Sequence, residues 1–152
     1  MPKLPEGMSV DIVAAYRINF CVGFPVRDFY FNFTFSACMK DRDSNSGQNL
    51  DAQSWSIGNG RLMAGTEDGD ALNLRMPWIE TEGENYPIEY LGNGLRLVMP
   101  YAAPKNTVGF HFILAYNRVD VGCGSEWFAV DVPHDRISDL PYSRGNRGIT
   151  KR

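Results

Sequence analysis

Residues Asp28 to Lys40 read D-F-Y-F-N-F-T-F-S-A-C-M-K, and their alternation restricts the fold more than any other feature of the chain. Phe29, Phe31, Phe33, Phe35, Ala37 and Met39 share one parity, while Tyr30, Asn32, Thr34, Ser36, Cys38 and Lys40 share the other. Successive side chains of a strand point to opposite faces, so the segment predicts a strand with one apolar and one polar face. A helix would scatter the four phenylalanines around its circumference. Such a strand belongs to an antiparallel sheet that is packed on one side and wet on the other.

The pattern recurs along the chain. Val10, Ile12, Ala14, Tyr16, Ile18, Phe20, Val22 and Phe24 share a parity, which predicts a strand bent near Ala14-Ala15 or two strands in succession. Gly23-Phe24-Pro25 then turns the chain. Trp55 to Ala64 and Ala71 to Met76 read as strands, with Gly65 to Asp70 as a turn between them. Asn93-Gly94 opens a strand carrying Leu95, Leu97, Met99 and Tyr101 on one face, which Pro100 and Pro104 end. Phe110, Phe112, Leu114 and Tyr116 mark another, and Trp127 to Val132 the last, stopped by Pro133. Asp41 to Asp51 and Glu80 to Tyr86 read as polar loops.

No helical period exceeds two turns, and all nine phenylalanines fall in predicted strands, most of them as core. The expectation is therefore an all-β chain: one jelly-roll-like antiparallel β-sandwich of roughly ten strands over residues 1–140. Residues 141–152 form a basic tail. The alternative is a closed antiparallel β-barrel, in which the same phenylalanine row would line a cavity.

Composition narrows the function classes. At 152 residues the chain is long enough for one well-buried core. No apolar run approaches the ~20 residues of a membrane helix, and no secretory leader is visible, so a cytoplasmic location is expected, with non-classical secretion left open. Cys21, Cys38 and Cys123 are odd in number and widely spaced, which speaks against a disulfide framework or a zinc-thiolate site. The tail from Pro141 holds Arg144, Arg147, Lys151 and Arg152 and no acid. Setting those four aside leaves 11 basic against 18 acidic residues, a body charge of −7 that disfavours nucleic-acid binding.

Candidate chemistry is sparse. Asp41-x-Asp43-x-Asn45-x-Gly47 has the alternating oxygen donors of a calcium loop, but Ser46 and Ala52 stand where an EF-hand needs glycine and glutamate. His111 reads as a residue hydrogen-bonded within a sheet. His134 adjoins Asp135, and a Cys123, His134 and Asp135 nucleophile set can be written, yet nothing around Cys123 carries a nucleophile signature. The acids Glu67, Asp68, Asp70 and Glu80, Glu82, Glu84 fall in predicted turns, where carboxylates are ordinarily solvated. No catalytic group, metal or cofactor is expected from these patterns. More suggestive is Asn73 with Arg75 on one predicted strand face, with Arg96 and Trp78 elsewhere. Planar amides and guanidinium groups bond sugar hydroxyls in pairs, and an aromatic ring covers a sugar's C–H face.

The order of segments resembles the galectins, β-sandwich lectins that bind β-galactosides. Leu4-Pro5-Glu6-Gly7 is similar to their entry turn, and Phe29-Tyr30-Phe31-Asn32-Phe33 to their F-x-x-N-L strand. Leu72-Asn73-Leu74-Arg75 resembles half of their H-x-N-x-R sugar strand. Gly92-Asn93-Gly94-Leu95-Arg96 with Met99-Pro100-Tyr101 resembles W-G-x-E-x-R and F-P-F. Phe128 to Val132 and His134-Asp135-Arg136-Ile137 resemble the late strand and its H-R-I. Ala71, Leu91 and Gly94 stand where the family has its sugar-strand histidine, stacking tryptophan and glutamate. Trp78 or Trp55 would have to replace the lost ring.

These readings converge on a non-catalytic binding module for a glycan, with Asn73, Arg75, Arg96 and Trp78 as ligand contacts. Two rivals stand beside it. One is a barrel that binds a small apolar ligand or runs an isomerase- or cyclase-type reaction, with His111 in its cavity. The other is a protein-interaction or inhibitor module acting through its acidic face. A homodimer is compatible with all three.

Overall fold

The computed structural model describes residues 4, 6–36, 39–47, 49–79, 86–118 and 124–138. Eight strands among these form two antiparallel sheets. They are β1 (Ile12–Cys21), β2 (Val26–Thr34), β3 (Lys40–Gly47), β4 (Leu50–Ile57), β5 (Gly60–Glu67), β6 (Ile88–Leu91), β7 (Gly94–Ala102) and β8 (Thr107–Arg118). Three short helices accompany them among the described residues: α1 (Gly69–Arg75), α2 (Ser125–Val130) and α3 (His134–Ser138). Sheet A runs β1-β8-β5-β4-β3 and sheet B runs β2-β7-β6. Neither closes into a ring, so the fold is a β-sandwich and the barrel alternative is excluded.

The phenylalanine row is packed. Phe33 stacks on Phe112 with ring centroids 5.0 Å apart, Phe31 meets Phe110 at 4.9 Å, and Phe35 meets Trp55 edge-on at 5.5 Å. Leu95, Leu97 and Met99 come from β7, and Leu72, Met76 and Ile79 close the end of the same core. β2 is an edge strand, however, so its rings remain half-buried. The strand also stops at Thr34, short of Lys40.

Sheet A is covered on its other face as well. Ile113, Ala115, Met63, Leu50 and Ala52 pack there against Ala129, Val130, Val132 and Ile137 from α2 and α3. Gly65 permits this closeness: a Cβ at that position would lie 2.8 Å from the Val130 Cβ.

Several expected elements differ. Ala71 to Met76 is helical, not extended. Asp68 caps α1 by accepting from the Ala71 N–H at 2.9 Å, and Leu72 and Met76, four apart, are buried while Leu74 is 86% exposed. Spacing of four satisfies a helix face, and the Leu72/Leu74 alternation that suggested a strand has no packing behind it. Trp127 to Val132 likewise begins in α2, with Ala129 and Val130 buried and Phe128 outward. Conversely, Asp41 to Asp51 is not a loop: it supplies the polar edge strand β3 and the start of β4. An edge strand can be charged, since only one side of its backbone must pair. Extension also spreads Asp41, Asp43 and Asn45 along the edge, so they do not converge as a calcium loop requires. Pro100 lies inside β7 without ending it, and β1 is one continuous strand. Cys38, Cys123, the acids Glu80, Glu82 and Glu84, and the basic tail lie outside the described residues.

Candidate functional site

Two polar constellations stand on opposite sides of the sandwich. The first is on the outer face of sheet B. β7 places Leu95, Leu97 and Met99 inward, which turns Arg96 outward opposite Asn32 of β2 and Glu89 of β6. The Arg96 Nε donates to Asn32 Oδ1 at 2.9 Å, and Nη1 donates to Glu89 Oε2 at 3.1 Å. Its guanidinium lies over the Tyr30 ring, 4.6 Å from the centroid. Beside this group, β1 and β2 leave an open groove of about 530 Å³ between the two sheet edges. Tyr16, Tyr30, Phe31, Asn32, Phe33 and Phe112 line it. Tyr16 and Tyr30 are each at least half exposed there.

The second constellation lies on the helix-covered face of sheet A and is far less accessible. β5 ends at Glu67, β8 carries His111, α3 starts at His134, and α1 ends at Arg75. The Nδ1 atoms of His111 and His134 are 3.2 Å apart, and His111 Nδ1 lies 4.0 Å from Glu67 Oε2. The His134 backbone N–H donates to Glu67 Oε1 at 3.1 Å. Arg75 donates through Nη2 to Glu67 Oε2, and through Nη1 to the Gly109 carbonyl at 2.5 Å. Gly109 makes room for the arrangement, since a Cβ there would meet the Asn19 side-chain amide at 2.8 Å and approach Arg75 and His134. Among the described residues, Glu67, His111 and His134 are the group whose ligand-type atoms converge, all within 4.8 Å of one another.

Electrostatics follow from burial. Burial, then the charges of His134 and Arg75, hold the His111 pKa down to about 3, with the Val132 carbonyl opposing. Burial again, then Arg75 and Arg17, hold His134 at about 4 against the pull of Asp135. Both imidazoles are therefore neutral near pH 7, each with a lone pair to give. A cleft of about 310 Å³ lined by Glu67, Ala71, Leu74, Arg75, Val132 and Pro133 opens beside them.

Another buried polar group sits between the sheets. Asp51 is fully buried and accepts from the Tyr86 hydroxyl at 2.7 Å and from the Tyr90 hydroxyl. Burial raises its pKa, which the two hydroxyl donors partly offset and the nearby Asp68 augments.

The expected ligand contacts separate. Arg96 is on sheet B. Arg75 is tied into the buried group on the far side of sheet A, Asn73 is half-buried on α1, and Trp78 packs half-buried against the inter-sheet core. Glu67 and Asp68 are not solvated turn acids; both are buried, one in the histidine group and one as a helix cap. What the sequence offered for the histidine group was scarcity: these are the chain's two histidines. Their convergence depends on α3 folding back over β8, which no local pattern announces. Searches of protein-family models, curated proteins and solved structures find no match to this chain.

Proposed function

We propose that the protein is a non-catalytic binding module for a carbohydrate or a similarly polyhydroxylated ligand, held in the groove between β1 and β2 and on the adjoining face of sheet B. The observation that supports this reading is the fixed posture of Arg96. Its bonds to Asn32 and Glu89 and its place over Tyr30 arrange planar donors and acceptors before any ligand arrives. Preorganised groups lose little freedom on binding. Tyr16 and Tyr30, each at least half exposed, offer aromatic surface for the C–H side of a sugar, and the groove has the volume of a small-ligand site. Asn73 and Trp78 have no part in it, and Arg75 is on the opposite side of sheet A.

A glycan array followed by titration calorimetry tests the reading. Arg96→Ala and Tyr30→Ala should each weaken a binding glycan by about tenfold or more, and Arg75→Ala should leave affinity unchanged. Absence of any glycan binding, or equal affinity in the Arg96→Ala protein, would remove it.

A further inference from the structure

We propose that Glu67, His111 and His134 bind a divalent transition-metal ion of the zinc type, and that Arg75 stands in for that cation when the metal is absent. The inference is independent of the glycan reading and concerns the opposite side of sheet A.

The donor set is the first argument. Two imidazoles and one carboxylate make a nitrogen–oxygen site suited to zinc and its neighbours, and three protein ligands leave one position open. Distance is the second. Zinc binds imidazole nitrogen at about 2.0–2.1 Å, so two nitrogens of a tetrahedral site lie roughly 3.3 Å apart. The observed Nδ1 to Nδ1 separation is 3.2 Å. Glu67 Oε2 lies 4.0 Å from His111 Nδ1, and the three ligand-type atoms lie within 4.8 Å of one another, so the carboxylate must approach by roughly 1–1.5 Å to complete the face.

Support around the ligands is the third. The His134 N–H holds Glu67 Oε1, which leaves Oε2 aimed at the histidines, the kind of outer contact that orients a ligating carboxylate. The three residues come from the end of β5, the middle of β8 and the start of α3, so two are anchored in a sheet. Glu67 borders the cleft, which gives the open position a route to solvent.

At 1% exposure His111 should have both ring nitrogens satisfied. Its Nδ1 faces the second imidazole at 3.2 Å and the Glu67 carboxylate at 4.0 Å, and its backbone contact is the Val132 carbonyl. Arg75 completes the picture. It neutralises Glu67 through Nη2 while Nη1 stays on the Gly109 carbonyl. Its side chain is 30% exposed at the cleft, so the guanidinium can release Glu67 toward solvent without leaving Gly109. Metal and guanidinium thus compete for one carboxylate oxygen.

The test uses the full chain without a polyhistidine tag, stripped by chelator and titrated with Co²⁺ by visible absorption and with Zn²⁺ by calorimetry. One equivalent should bind, with the intense visible bands of four-coordinate cobalt. His134→Gln should weaken binding about 100-fold or more, and Arg75→Met should tighten it about tenfold by removing the rival cation. Should His134→Gln fail to fold, proton NMR of the wild type decides instead, because cobalt must displace the imidazole signals of both histidines. The proposal is overturned if the wild type takes up neither ion or if folded His134→Gln binds equally well. Unmoved histidine signals, or an unchanged or weaker affinity in Arg75→Met, overturn it too.

Discussion

His111 and His134, 23 residues apart in sequence, meet Nδ1 to Nδ1 at 3.2 Å beneath α3, with Glu67 held beside them by Arg75. The Arg75–Glu67 pair is thus the electrostatic anchor between α1 and the end of β5. Its carboxylate is only 10% exposed, so removing the guanidinium leaves a nearly buried charge. Arg75→Ala is expected to destabilise the protein by about 2–3 kcal/mol, below the usual cost for a fully buried pair because Arg75 reaches solvent. A double-mutant cycle with Glu67→Gln, followed by urea unfolding, should give a coupling of about 1–2 kcal/mol. Zero coupling would mean the pair does no anchoring.

Asp51 sets a pH dependence. Its carboxyl is buried between the sheets with a raised pKa, so the folded protein keeps a proton that the unfolded chain releases near pH 4. Stability from this group is full below that pH and declines as pH rises through the folded value, where a buried carboxylate must form. Asp51→Asn cannot ionise and keeps an acceptor for the tyrosines. Its stability relative to wild type should therefore climb as pH rises from about 4 to 8. Urea midpoints across that range measure it, and parallel curves would contradict it.

The two faces of β2 should respond very differently to truncation. Phe33 stacks on Phe112 and also touches Tyr16 and Phe35. Phe33→Ala is expected to cost about 2–4 kcal/mol, the lower part reflecting its half exposure. Thr34→Ala, one residue on and exposed, should change stability by under about 0.5 kcal/mol. Comparable losses at both positions would argue against the packing described.

Gly65 gives a fourth test. A methyl group there must displace Val130 or the Leu50 side chain, whose Cδ1 lies 3.3 Å from the added carbon. Gly65→Ala should destabilise by about 1–3 kcal/mol through overpacking between β5 and α2. Gly23→Ala has open space and should not show that penalty. Thermal unfolding of the two variants separates these outcomes.

Much of the sandwich was legible because strand alternation is a local property. Phe29 to Phe33, Leu95 to Met99 and Phe110 to Phe112 each carry the period of two that their burial later requires. The helices were not, for a physical reason. α1 has seven residues and α2 six, too short to develop a repeating apolar face, so Leu72 and Met76 are identified as a pair only by the core they fill. β3 was missed because an edge strand needs no apolar face. Of the expected ligand contacts, Arg96 emerged next to Asn32 because the two are register partners across β2 and β7. Arg75 emerged in a different site because a helix end, not a strand, carries it.

The pairing of β1 with β8 puts Tyr16 opposite Phe112 and Arg17 opposite His111. Adjacent residues of one edge strand therefore serve the two sides of sheet A, an aromatic groove and a buried polar pocket. Deleting a single residue early in β1 would exchange these assignments, sending a guanidinium toward stacked phenylalanines and a phenol ring toward the histidines. β1 is accordingly a segment where substitutions can be absorbed at its exposed positions while changes of length cannot. An insertion scan should find the turn at Gly23 to Pro25 permissive and the ten residues before Val22 closed.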